Sequence, residues 1–252
     1  MCKAFSCLIT KSKKVYWKTG VDGHDELQVL FVKKDKELKD DKNPPKNTFA
    51  RIEINPKDGN YLNLNQKWVY KIDEKVKPTW LDKSYEAPCY KAFRLWKKEV
   101  YSRFNYKEAL KPIHPFKIKP PKNITTRHLK LLAKWDSIGV SVWDSVRDSS
   151  IGVSVWDSVW DSVGDSVRDS SIGVSVWDSV GAYGGSLFKG IKKWKYVNCK
   201  KLGIKGYPFA SVVKLWKMGL VPSFDGEKWR LHGGKDGGIM WTGTKEDLKK
   251  YL

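Results

Sequence analysis

The chain has 252 residues, 40% of them hydrophobic, enough for one large domain or two to three small ones around a core. Its four cysteines, Cys2, Cys7, Cys89 and Cys199, are too scattered for a disulfide framework, and no stretch approaches the ~18 apolar residues of a membrane span, which argues against a small stapled secreted scaffold and against a membrane-spanning protein. The net charge of +20 favours an anionic partner: nucleic acid, nucleotide or a lipid surface.

The first twenty residues hold no apolar run of the length a signal peptide needs, so the expected setting is soluble, in the cytoplasm of a host cell. AFSCLIT and KVYWKTG read as two strands around a turn at Lys11–Lys14, and HDELQVLF as a short helical turn. KKDKELKDDKNPPKN is a charged, proline-broken loop. FARIEI alternates as a half-buried strand should, and KWVYKID follows as another. A helix is expected from about Ser84 to Phe104, because Cys89, Phe93, Trp96, Val100 and Phe104 form one apolar stripe, with Ser84 as cap. Residues 1–112 are thus expected to form a small α+β domain, a mostly antiparallel sheet with a helix on one face.

Residues 113–134 read as a proline-rich linker and a capping helix, RHLKLLAKW, with Thr125 or Thr126 as cap. Residues 135–180 are a tandem repeat. Ser followed by Val or Ile recurs in steps of four, lengthened to five at Ser145–Ser150 and Ser166–Ser171, and DSVRDSSIGVSVWDSV at 144–159 returns unchanged at 165–180. Such identity indicates recent duplication in the gene. The stretch 135–180 carries eight Asp and two Arg, so the flanks are more basic than the chain as a whole. Val, Ser, Asp and Gly are weak helix formers, and a mean step above four misses the helical period. The pattern therefore predicts short extended pieces joined at corners, a β-solenoid-like coil with Val and Ile inside and the slot before Asp-Ser-Val facing out. That places Trp143, Arg147, Trp156, Trp160, Arg168 and Trp177 on its outer surface as contact points. The array is weakly similar to pentapeptide-repeat solenoids, although its unit is four residues and Asp-Ser-Val replaces their order.

Residues 181–252 are expected to form an α+β cap. GAYGGSLFKGIKKWKYV continues as an irregular turn of the coil, and PFASVVKLWKMG is an amphipathic helix opened by Pro208 and stopped by Gly219. Asp225-Gly226 marks a hairpin, GGKDGG a second turn rather than a phosphate loop, and TKEDLKKYL a closing helix capped by Thr244. Between these, KGIKKWKYVNCKK brings Lys192, Lys193, Lys195, Lys200 and Lys201 around Trp194 and Tyr196, a set suited to nucleotide or single-stranded nucleic acid. The competing reading puts Trp194 and Tyr196 in the core with the lysines outside.

MCKAFSCLI faintly resembles the opening of class II glutamine amidotransferases, which would make Cys2 an amino-terminal nucleophile, but Lys3 stands where that family has Gly. His24, His114, His128 and His232 form no motif with metal-ligand spacing, so neither a metal nor a cofactor is expected. MCKAFSC with KVYWK, the WDSV array and LWKMGLVPSFDGEKWRLHGG together resemble phage and metagenomic proteins that carry WDSV- or WASV-type repeats between similar ends. That resemblance implies a viral or mobile-element context and no mechanism. The functional expectation is a non-enzymatic binding or scaffold protein, with nucleic-acid or nucleotide capture by the basic flanks as the alternative and a protein partner or a second copy of the chain also open.

Overall fold

The computed structural model describes residues 4–39, 46–138, 150–167, 176–189, 197 and 199–252, with the backbone alone at 150–153 and 163–167. The chain divides into two compact units, Met1–Arg103 with Ser149–Ile151, and Phe104–Asp148 with Gly152–Leu252.

The first unit is built on an antiparallel sheet of strands β1 (Phe5–Thr10), β2 (Val15–Tyr16), β3 (Phe49–Pro56) and β4 (Trp68–Ile72), in the order β2-β1-β3-β4. Cys7 lies opposite Ile52, and Glu53 opposite both Ser6 and Lys71. All six residues of β1 are buried, because both faces of the sheet are covered there. Phe5 meets Phe93 and Trp96 of helix α2 (Glu86–Ser102) on one side. Leu8 joins Leu27, Leu38 and Phe49 under helix α1 (His24–Phe31) on the other. The stripe expected on α2 is the buried one, with Cys89, Phe93, Trp96 and Val100 all facing inward. Its start is capped differently. Asp82, not Ser84, accepts the Ser84 amide and begins a short 3₁₀ turn ahead of the helix. Asp35 pins the loop after α1. It accepts the Glu37 amide, the Tyr16 hydroxyl and the Lys14 ammonium, which together hold its carboxyl at about 2.

The second unit joins helices α3 (Tyr106–Leu110), α4 (Thr126–Asp136), α5 (Ser150–Val167, from Gly152 onward in this unit), α6 (Trp177–Ser186), α7 (Ala210–Trp216) and α8 (Lys245–Lys249) to an antiparallel sheet β5-β6-β7 (Leu220–Phe224, Lys228–Gly233, Gly238–Thr244). Turns at Asp225-Gly226 and at Gly234–Gly237 join these strands, with Gly226, Gly234 and Gly237 all at positive φ. Gly219 ends α7 with φ +73, and a Cβ there would sit 2.8 Å from the Ile118 carbonyl oxygen, so no other residue fits without movement.

The described residues of the repeat do not form a solenoid. They are helical: α5 covers Ser150–Val167 and α6 starts at Trp177, still inside the array. Among the described residues the two sheets are open, of four and three strands. The physical reason lies in the step. Four residues turn a helix by 400°, a drift of only about 40° per unit, so over a few turns a tetrad keeps its valine on one face. Val155 and Val159 are fully buried, while Asp157 and Asp161 face solvent. α5 spans the run of uninterrupted four-residue steps, Ser150 to Ser166, between the two five-residue steps. Small side chains let neighbours approach: Ser158 donates to the Ala109 carbonyl at 2.7 Å, and a Cβ on Gly184 of α6 would lie 3.9 Å from Val155. Packing has overridden propensity.

The start of the segment expected to form an irregular turn after Val180, Gly181–Ser186, instead completes α6, in which Ser179 to Gly185 are all buried; 190–196 lie outside the described residues. Its centre is Tyr183. The ring stacks on Trp216 with centroids 5.1 Å apart, the hydroxyl donates to Glu108 Oε1 at 2.8 Å and accepts from the Ile113 amide at 2.9 Å. Trp216 returns a bond from Nε1 to the Ile113 carbonyl at 2.8 Å. Ser179 donates to the Pro222 carbonyl at 2.6 Å and ties the helix to β5.

Candidate functional site

The cleft of interest lies in the second unit, between α4 and the segment 202–214, and encloses about 410 Å³. α4 is fixed by its amino-terminal turn. Thr125 and His128 form a capping box in which His128 Nδ1 accepts the Thr125 amide at 3.0 Å. Leu129, Leu132, Ala133 and Trp135 face the core, which turns Leu131, Lys134 and Ile138, spaced by three and four residues, toward the cleft. The opposite wall begins with Leu202, Gly203, Ile204 and Lys205 and passes through Tyr207 and Pro208 into α7, which adds Ala210, Ser211 and Lys214. Gly203 and Gly206 take positive φ and shape the turns of this wall. Tyr207 is anchored by its hydroxyl, which donates to the Ala182 carbonyl of α6, and burial raises its pKa so that it stays a phenol.

Among the described residues the lining has three ammonium groups, Lys134, Lys205 and Lys214, and no carboxylate. Ser211, only 8% exposed, has a buried hydroxyl without a hydrogen-bond partner among the described residues, a group that stands ready to bond a ligand or water. Cations around an aliphatic and aromatic floor bind an anion with an apolar body.

Of the lysines and aromatics expected to form a nucleic-acid site, Lys192, Lys193, Trp194, Lys195 and Tyr196 lie outside the described residues. Lys200 and Lys201 are exposed on the turn that leads into the cleft wall at Leu202. Of the residues expected on the outer surface of the repeat, Trp143, Arg147 and Arg168 lie outside the described residues. Trp156, Trp160 and Trp177 come together: the first two stack at 5.5 Å, one helical turn apart, and Trp177, 40% exposed, meets both edge-on at 5.8 Å. Cys2 also lies outside the described residues, whereas Cys7 is a fully buried core thiol, as its place on an apolar strand implied. Burial pushes that thiol well above its usual range, with a hydrogen bond to Cys89 adding to the effect. The lysines of the cleft went unnoticed in the sequence. Leu131-Lys134-Ile138 was readable as one side of a helix, but its pairing with α7 is a tertiary contact.

A second arrangement looks catalytic and is closed. Ser223 Oγ lies 2.8 Å from His232 Nε2, and His232 Nδ1 lies 3.1 Å from the Gly237 carbonyl, so Nδ1–H donates to the backbone and Nε2 accepts from the serine. Both residues are 1% exposed, which leaves no approach for a substrate. The pair locks the β6-β7 hairpin to β5. Burial, the largest cause, holds His232 below the usual imidazole range; the bond to the Gly237 carbonyl opposes it, and repulsion from Arg230 adds a smaller lowering. His114 and His128 are also lowered, first by burial and then by Lys117 and Arg127 respectively. A histidine lowered on folding binds fewer protons in the native state, so stability is complete above about pH 6.5 and falls as pH drops toward the folded-state value. Urea titrations at successive pH values should show a loss from His232 that approaches about 1.4 kcal/mol per pH unit between 6.5 and the folded-state value and levels off below it. His232→Asn should remove that part of the slope; an unchanged slope would refute the assignment.

No family model, no curated protein and no solved structure matches the chain.

Proposed function

We propose that the protein is a binding protein that takes the phosphate of a nucleotide or of single-stranded nucleic acid into the α4–α7 cleft. The observation that supports this is the lining: ammonium groups from α4, the 202–208 turn and α7 around an apolar and aromatic floor, without a carboxylate among the described residues. The chain's charge of +20 draws such ligands in and adds a nonspecific contribution. The reading keeps the expectation of a binding protein and moves the contact surface from the repeat to the helices around it.

The test is fluorescence anisotropy with a labelled single-stranded oligonucleotide across a salt series, with ATP as competitor. The triple variant Lys134→Glu, Lys205→Glu and Lys214→Glu should weaken binding at least tenfold and reduce the slope of log affinity against log salt by about 2, three contacts at ~0.7 each. Lys33→Glu, Lys34→Glu and Lys39→Glu, on exposed positions of the first unit, form the control. Equal losses in both triple variants would show that general charge and not the cleft holds the ligand. Competition by ATP separates a nucleotide site from one that needs a strand.

A further inference from the structure

In the first unit, β3 alternates so that Phe49, Arg51, Glu53 and Asn55 share the sheet face that carries α1, while Ala50, Ile52 and Ile54 point to the face under α2. α1 brings His24 to that polar side, and the chain leaving β4 brings Asp73. Ligand atoms of His24, Glu53 and Asp73 lie within 4.8 Å of one another. His24 Nδ1 is 3.2 Å from Asp73 Oδ2, and Nε2 is 3.2 Å from the Ile52 carbonyl oxygen.

The imidazole has acceptors at both nitrogens. Neutral, it carries one N–H. With that proton on Nε2, donated to the Ile52 carbonyl, the Nδ1 lone pair faces the Asp73 carboxylate, and a cation between them, a proton or a metal ion, satisfies both. A backbone carbonyl on the far nitrogen is how a metal-ligating histidine is commonly held in its tautomer. Glu53 is likewise oriented: Asn55 Nδ2 donates to Oε2 at 3.1 Å, and Tyr61 donates to Asn55 Oδ1 at 2.9 Å, which leaves Oε1 for a ligand. The 3.2 Å between Nδ1 and Oδ2 is close to the ~3.3 Å separating two ligands of a tetrahedral ion with bonds near 2.0 Å. One imidazole and two carboxylates neutralise a divalent charge. Arg51, directed toward Glu74 and Asp25, offers its charge to other carboxylates, while Lys71 opposite Glu53 is the cation a metal must compete with.

We infer that His24, Glu53 and Asp73 form a binding site for a divalent transition metal of the zinc type. The imidazole selects such an ion over magnesium or calcium, whose ligands are oxygens. Three protein ligands leave a fourth position for water or a bound anion. The site belongs to the first unit and does not depend on the cleft reading.

The experiment uses the untagged full chain, stripped with a chelator and titrated with Zn²⁺ by calorimetry, and with Co²⁺ followed by its visible absorption. One Zn²⁺ per chain should bind with micromolar or tighter Kd, and Co²⁺ should give a ligand-field spectrum. Asp73→Asn, at a side chain nearly half exposed, should preserve the fold and weaken Zn²⁺ at least tenfold. Glu53→Gln should do the same, and His24→Ala should abolish the Co²⁺ spectrum. At the same Zn²⁺ concentration the Tm of the wild type should rise by more than that of Asp73→Asn, while the metal-free Tm values stay close, which separates ligand loss from misfolding. His114→Ala serves as control and should bind as the wild type does. No stoichiometric binding, or binding that survives both Asp73→Asn and His24→Ala, would overturn the site and leave the trio as an imidazolium–carboxylate pair.

Discussion

Tyr183→Ala is expected to destabilise the second unit by about 3–5 kcal/mol, the largest effect of any single side chain in α6. The ring is wholly buried and stacks face to face on Trp216, so truncation opens a cavity between α6 and α7. The substitution also removes the acceptor of the Ile113 amide and the donor to Glu108. Tyr183→Phe isolates this second contribution: the ring remains, the two polar partners lose their bond, and about 1–3 kcal/mol should be lost. Urea unfolding followed by tryptophan fluorescence measures both. A difference of less than 1 kcal/mol between Tyr183→Ala and the wild type would mean that α6 is not the centre of this core.

Val159→Pro should cost about 3 kcal/mol or more, because proline removes the bond from the 159 amide to the carbonyl one turn earlier and clashes with that carbonyl. Val159 is fully buried, so the loss of its packing adds to this. Val159→Ala, which keeps the helix and removes two methyl groups, should cost roughly 2 kcal/mol. Hydrogen exchange at 154–162 is the informative readout. Protection in the wild type that spans successive amides, and its loss in Val159→Pro with retention in Val159→Ala, is the signature of a helix. Alternate protected and open amides in the wild type would instead mark extended segments.

The flanks of the repeat were legible because each carried two agreeing signals. FARIEI alternates and is bounded by turn residues, and it is strand β3. The α2 stripe has helical spacing over Cys89, Phe93, Trp96 and Val100, although the helix ends at Ser102, short of Phe104, and Asp225-Gly226 sits between two apolar runs. Thr244 caps α8 in a capping box with Asp247 that could be read from the letters alone. The repeat gave two signals that disagreed. Its residues disfavour helix, while its four-residue step suits either a corner-bearing strand or a short helix. Choosing by composition chose wrongly, because the deciding contacts, Val155 against Gly184 and Ser158 on the Ala109 carbonyl, come from residues distant in the chain. The two candidate sites were invisible for a related reason. Lys134 and Lys214 meet only when α4 and α7 pack together, and His24, Glu53 and Asp73 are joined by strand register, not by spacing.

The tetrad also leaves its mark on charge. Asp157 has Asp161 one turn on, and its carboxyl is raised first by loss of solvent and then by this neighbour. Protonation relieves the repulsion, so α5 gains from mild acid while the histidines of the same unit lose from it.

Because α5 coincides with an unbroken run of four-residue steps, copy number in the gene translates into a length. Each further Trp-Asp-Ser-Val inserted in that run would extend the rod by about 6 Å and rotate its tip by about 40°. A five-residue step swings it by about 140° and so punctuates the extension. Slippage during replication, which adds or removes whole tetrads, would then act as an adjustable spacer that changes reach while the same valines keep gripping the core.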